Sequence, residues 1–72
     1  MNPDICVFIA RLRNKRIAAT ARLDSGRIVV TAECFYSDIC NALRGLNVAI
    51  SCIGSGEIEG RRAIKYTVNP MS

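Results

Sequence analysis

The chain has 72 residues, half of them apolar, with ten Lys and Arg, six Asp and Glu, and no histidine. A chain this short forms one small domain, and this apolar content argues against disorder. Without histidine it lacks both the commonest metal ligand and the most frequent general base. The formal charge of +4, with eight of ten cations arginine, is compatible with a polyanionic partner but is too mild to require one. A core of this size supplies only about 3–5 kcal/mol, so self-association is an economical source of extra stability.

The apolar run Ile5 to Ala10 follows an acid rather than basic residues. It is too short, and flanked the wrong way, for a signal peptide or a membrane span. The expectation is a cytoplasmic protein with reduced thiols and no membrane association.

Two readings compete for the start of the chain. Asn2 as N-cap with Pro3 at the first helical position would open a helix, and Ile5, Phe8, Ile9 and Leu12 do recur at helical spacing. Ile5 to Ile9 also reads as a strand, with Asn14-Lys15 as a two-residue turn. In that register Leu12 faces Ile17, Ala10 faces Ala19, Phe8 faces Ala21 and Cys6 faces Leu23. A second turn on Ser25-Gly26 sets Leu23 opposite Ile28, Ala21 opposite Val30, Ala19 opposite Ala32 and Ile17 opposite Cys34. Every inward pair is apolar, and a slip of one residue would reverse the faces. The three-stranded meander is therefore the preferred reading.

After Cys34 the period becomes helical. Ser37 suits an N-cap, Asp38 the first turn, and Ile39, Ala42, Leu43 and Leu46 make one stripe. A helix from Asp38 to Leu46 is expected to end at Gly45 or Asn47 and to lie on the apolar sheet face. Val48 to Ile53 and Arg61 to Val68 read as strands, joined by the glycine-rich connection Gly54 to Gly60. The sum is a small two-layer α+β domain over residues 1–72 in the order β-β-β-α-β-β. Its antiparallel sheet carries one helix, and residues 68–72 form a flexible tail. Asp4-Ile5-Cys6 is echoed by Asp38-Ile39-Cys40, which would favour a duplicated α-β-β unit, but three residues are too few to define a repeat.

Motifs for chemistry are weak. Cys6, Cys34, Cys40 and Cys52 contain no C-x-x-C pair, and the meander register separates Cys6 from Cys34, so buried thiols are preferred to a zinc site. Gly54-Ser55-Gly56 leads into acids and a strand rather than a helix N-terminus, which is the wrong setting for a phosphate loop. Glu57 and Glu59 read as solvated loop acids. No catalytic, cofactor or metal residues are assigned, and the protein is read as non-enzymatic.

The outer face of the meander is more informative. It would carry Arg11, Arg13, Arg16, Arg22 and Arg27, a surface suited to phosphates, although no exposed aromatics join them for base stacking. The same face would carry Ile5, Val7, Ile9 and Val29. An apolar centre with an arginine rim is what protein interfaces favour. The leading expectation is a protein-binding or self-associating module, a homodimer, with a small nucleic-acid-binding protein as the alternative.

Overall fold

The structure, a computed structural model, describes residues 3–71. Its order is α1 (Pro3–Asn14), β1 (Ala19–Asp24), β2 (Arg27–Ala32), α2 (Tyr36–Ala42), β3 (Val48–Ile58) and β4 (Arg61–Pro70). The expected α+β class and antiparallel sheet are found; the expected order is not. Residues 3–14 are helix, so the sheet has four strands, in the order β1-β2-β4-β3. Among the described residues no helix is long and apolar enough to cross a membrane.

The first segment is helical because that period buries what the strand period would expose. Phe8 and Leu12, four apart, are fully buried, and Ile5 and Ile9 pack against the core beside them. Asp4 in the first turn and Arg11 and Arg13 in the last match the helix dipole. Pro3 opens the helix as expected; Asn2 lies outside the described residues. The Ile17 amide donates to the Leu12 carbonyl (3.0 Å) and the Arg16 amide to the Arg13 carbonyl (2.9 Å), the Schellman pattern. Arg16 takes the left-handed position with φ 59°. The Asn14-Lys15 turn is therefore a helix end, and Ile17 and Cys34 lie outside the strands.

The second hairpin of the expected meander is found as read: Ala19 pairs with Ala32, Ala21 with Val30 and Leu23 with Ile28. α2 buries Ile39, Ala42 and Leu43 with Leu46 partly covered, but it starts at Tyr36, is capped by Phe35 without a side-chain bond, and stops at Ala42. The expected connection Gly54 to Gly60 is mostly strand; β3 runs to Ile58, with a register shift between Cys52 and Gly54. The expected tail is also tied in: β4 reaches Pro70, the Met71 amide donates to the Asn47 carbonyl (3.0 Å) and Asn47 Nδ2 donates to the Met71 carbonyl (3.0 Å).

The order α-β-β-α-β-β gives the Asp-Ile-Cys echo a structural meaning. Asp4 and Asp38 stand near the starts of the two helices, and the same thirty-four-residue offset relates Gly26-Arg27 to Gly60-Arg61. Both hairpin turns have positive φ at their two central residues, 53° and 80° at Ser25-Gly26 and 51° and 78° at Glu59-Gly60, the pattern of tight hairpin turns. The sheet order reads the same when the halves are exchanged, with β2 and β4 paired at the centre. Shifting Thr31 by the offset gives Lys65, its own cross-strand partner.

The two sheet faces differ. Ala19, Ile28, Val30, Ala32, Tyr66 and Val68 face the helices and form the main core. The opposite face carries Thr20, Arg22, Thr31 and Lys65. Val29, Ala63 and Thr67 alternate onto that face too, yet they are buried, because the outer half of the β3–β4 hairpin curls back over it. A Cβ on Gly56 of β3 would lie 3.3 Å from Thr31 Cγ2 on β2, although β4 separates those strands in the sheet.

Candidate protein-binding edge

The expected site residues do not form one surface. Arg22 and Arg27 lie on the open sheet face at the β1–β2 hairpin, whereas Arg11, Arg13 and Arg16 belong to α1 and its cap on the other face. Arg11 Nη1 donates to the Arg44 carbonyl at 3.1 Å, joining α1 to the chain just after α2. The expected apolar group divides as well. Ile5 and Ile9 are half-buried against the core, Val29 is buried on the far face of the sheet, and only Val7 is exposed, at 42%. The physical reason is the helix: a period of 3.6 scatters residues that a period of 2 would align.

A different apolar surface is bare. α2 has seven residues, but the hairpin beneath it has strands of eleven and ten. The helix covers only the inner half. At its start Phe35 is 73% exposed and Tyr36 51%, and Phe35 borders an open hollow of about 350 Å3 shared with Glu33, Cys34, Arg62 and Ile64. Tyr36 is anchored from three sides. Its hydroxyl donates to the Ile50 carbonyl (3.2 Å), its ring lies 6.5 Å from that of Tyr66, and a hydrogen bond with Cys40 raises the hydroxyl above its ordinary range.

Tyr66 fixes the floor of this region. It is fully buried and donates to the Cys34 carbonyl at 2.7 Å. Burial, with smaller contributions from the neighbouring Cys34, Cys52, Asp38 and Cys40, pushes its hydroxyl up to about 12. Burial and the Asp38 carboxylate likewise raise the Cys34 thiol, which leaves it a poor nucleophile. The thiols are not buried as expected: Cys6 and Cys52 are exposed and Cys34 and Cys40 half-buried. No disulfide joins them, and among the described residues no group of three or more potential ligands is placed to hold a metal.

Next to this patch runs the outer edge of the sheet. From Val48 to Gly56 the edge strand β3 has no charged residue. Its inner end is occupied by its own chain: the Val48 amide donates to the Leu46 carbonyl (3.1 Å) and Tyr36 covers the Ile50 carbonyl. Ser51 to Ser55 are all exposed, and Ile53, the extra residue at the register shift, is 50% exposed. β1, the opposite edge, has six residues and carries Arg22 and Asp24. Charges and shortness protect edges from pairing, and β1 has both defences. The exposed stretch Ser51 to Ser55 of β3 has only its bulge. Phe35, Tyr36, Ile53 and Ile64 were not among the expected site residues; the nine-residue uncharged run was a visible signal for Ile53 alone.

No protein-family model, curated protein or solved structure matches this chain.

Proposed function

We propose that the protein is a non-enzymatic binding module that self-associates through the outer half of the β3 edge and the aromatic patch beside it. One observation carries this reading: an exposed, uncharged edge, Ser51 to Ser55, lies in the same half as Phe35 and Tyr36, with Arg62 at the rim of the Phe35 hollow. Exposed strand edges accept further strands through backbone hydrogen bonds, and flanking apolar side chains add area. Aromatic centres with arginine rims are characteristic of protein interfaces.

A second copy is the partner that fits this edge. Two chains of charge +4 repel, and pairing along β3 brings together the stretch that contributes nothing to that repulsion. Antiparallel self-pairing places no like charges opposite each other. It would also extend the four-stranded sheet of each copy into one continuous sheet and supply the burial a small core lacks.

Sedimentation velocity across a concentration series tests this. The wild type should show a dimer that persists at high salt, and Ile53→Lys should sediment as a monomer with unchanged circular dichroism. A wild type that stays monomeric throughout the series would overturn the reading.

A further inference from the structure

The open face of the sheet, remote from the aromatic patch, holds a groove of about 460 Å3 where the curled hairpin approaches the first two strands. Its lining includes Thr20 and Arg22 from β1, Thr31 from β2, Gly56 and Glu57 from β3, and Lys65 from β4. We infer that this groove is an anion site that takes a phosphoryl group.

Three features support it. First, its two cations are unspent: the ion pairs among the described residues join Arg61 to Glu33 and Glu59, and neither Arg22 nor Lys65 takes part. Glu57 is the single acid at the rim, so the two cations outnumber it. Second, Thr20 and Thr31 bring hydroxyls to the same concavity, and a phosphoryl group takes hydrogen bonds from hydroxyls and cations together. Third, Gly56 positions Lys65. A Cβ there would stand 3.1 Å from Lys65 Cε, 3.2 Å from Lys65 Cγ and 3.3 Å from Thr31 Cγ2. The lysine stem therefore lies against Gly56, crowding the space a side chain there would fill, and the Thr31 methyl borders the same space. Confining the stem reduces the entropy lost when the ammonium binds.

The glycine at position 56 thus acts through packing, not as part of a phosphate loop at a helix start. The inference is independent of self-association, because β3 meets the second copy through Ser51 to Ser55 while the groove lies over the opposite sheet face.

The experiment is an amide-resonance titration of the wild-type chain with sodium pyrophosphate at low salt, followed by a 10-nucleotide single-stranded RNA. Resonances of Thr20, Arg22, Thr31, Gly56 and Lys65 should move together and saturate. The affinity should fall about tenfold in Lys65→Met, which keeps the stem, and in Arg22→Gln, each still giving a folded spectrum. Gly56→Ala should weaken binding less, by displacing the Lys65 stem. If pyrophosphate competes with RNA that binds more tightly, the phosphoryl group belongs to a polynucleotide backbone; if RNA adds nothing, it belongs to a small ligand. Absence of saturable shifts with either probe, or shifts that Lys65→Met leaves unchanged, would overturn the site.

Discussion

The two α-β-β halves follow one plan with opposite proportions. In the first, a twelve-residue helix covers a hairpin of two six-residue strands; in the second, a seven-residue helix lies on strands of eleven and ten. Their cores are filled from opposite sides. At equivalent positions Phe8 on the first helix corresponds to Ala42 on the second, and Ala32 on β2 corresponds to Tyr66 on β4; all four are buried. The large side chain comes from the helix in one half and from the strand in the other, which keeps the interior filled. The difference teaches where binding is to be sought. The first half buries most of its apolar surface under its own helix, leaving Val7 and Leu23 as scattered exposed residues, while the second leaves Phe35, Tyr36 and Ile53 exposed.

The most severe way to break this comparison is to empty the better-covered half. Leu12 is fully buried, whereas Leu46, thirty-four residues on, is only partly buried. Leu12→Ala should cost about 2–4 kcal/mol through lost burial and cavity formation, enough to unfold much of a chain with so small a core. Leu46→Ala should cost less, about 1–2 kcal/mol, since part of its surface already meets water. Urea denaturation of both variants measures the gap, and equal losses would mean that the halves are equally covered.

The turns ask whether the halves share a local rule. Gly26 and Gly60 have φ near 80° with open space where a Cβ would go. Gly26→Ala and Gly60→Ala should each cost about 1–2 kcal/mol through backbone strain alone. Near-equal losses in thermal unfolding are expected. A negligible loss at one turn would show that its hairpin relaxes into another conformation.

How much of this was legible in the sequence follows from how many periods each segment allows. The β1–β2 register was readable because Ala19, Ala21 and Leu23 oppose Ala32, Val30 and Ile28 around a turn that only positive φ can make. The α2 stripe was readable because Ile39, Ala42, Leu43 and Leu46 fit no strand. Ile5 to Ile9 fit both periods, and the choice depended on tertiary packing that single-residue preferences do not encode. The strand reading did carry a warning: it put Ile5, Val7 and Ile9 on a face meant for water. Gly54 and Gly56 read as a loop because strands disfavour glycine, yet one sits at a bulge and the other makes room for Lys65. The bare patch was hidden for a related reason, since exposure at Phe35 arises from the mismatch between α2 and its hairpin, not from any motif.

Tyr66 sharpens the comparison from inside the second half. Tyr66→Phe keeps the ring that replaces Ala32 but removes the bond to the Cys34 carbonyl, at a cost of about 1 kcal/mol. The hydroxyl is raised from about 10 to about 12 by folding, so the folded state holds its proton more tightly than the unfolded chain. The resulting stability is complete below pH 10 and is lost as pH rises from 10 through 12. Wild type should therefore fall towards Tyr66→Phe across that window in a pH series of urea midpoints. Parallel curves would mean that Tyr66 ionises as freely in the fold as outside it.

The smallest effect concerns Arg27 and Arg61, which follow the two equivalent turns. Arg61 makes a two-pronged pair with Glu33 (Nε to Oε1 2.9 Å, Nη2 to Oε2 2.8 Å), whereas Arg27 has no ion pair among the described residues. The hydrogen bond from Arg61 holds the Glu33 carboxyl below its ordinary value despite a smaller opposing contribution from desolvation. The pair is exposed, so Arg61→Gln should lower stability only slightly at neutral pH, and Arg27→Gln should be neutral. A depressed carboxyl contributes stability above its unfolded value and loses it as pH falls through the folded one. The Arg61→Gln deficit should therefore vanish on acidification below the ordinary carboxylate range, while Arg27→Gln follows wild type throughout. A deficit that survives in acid would assign the effect of Arg61 to the packing of its stem at the β4 turn, leaving the charge difference between the two turns without energetic consequence.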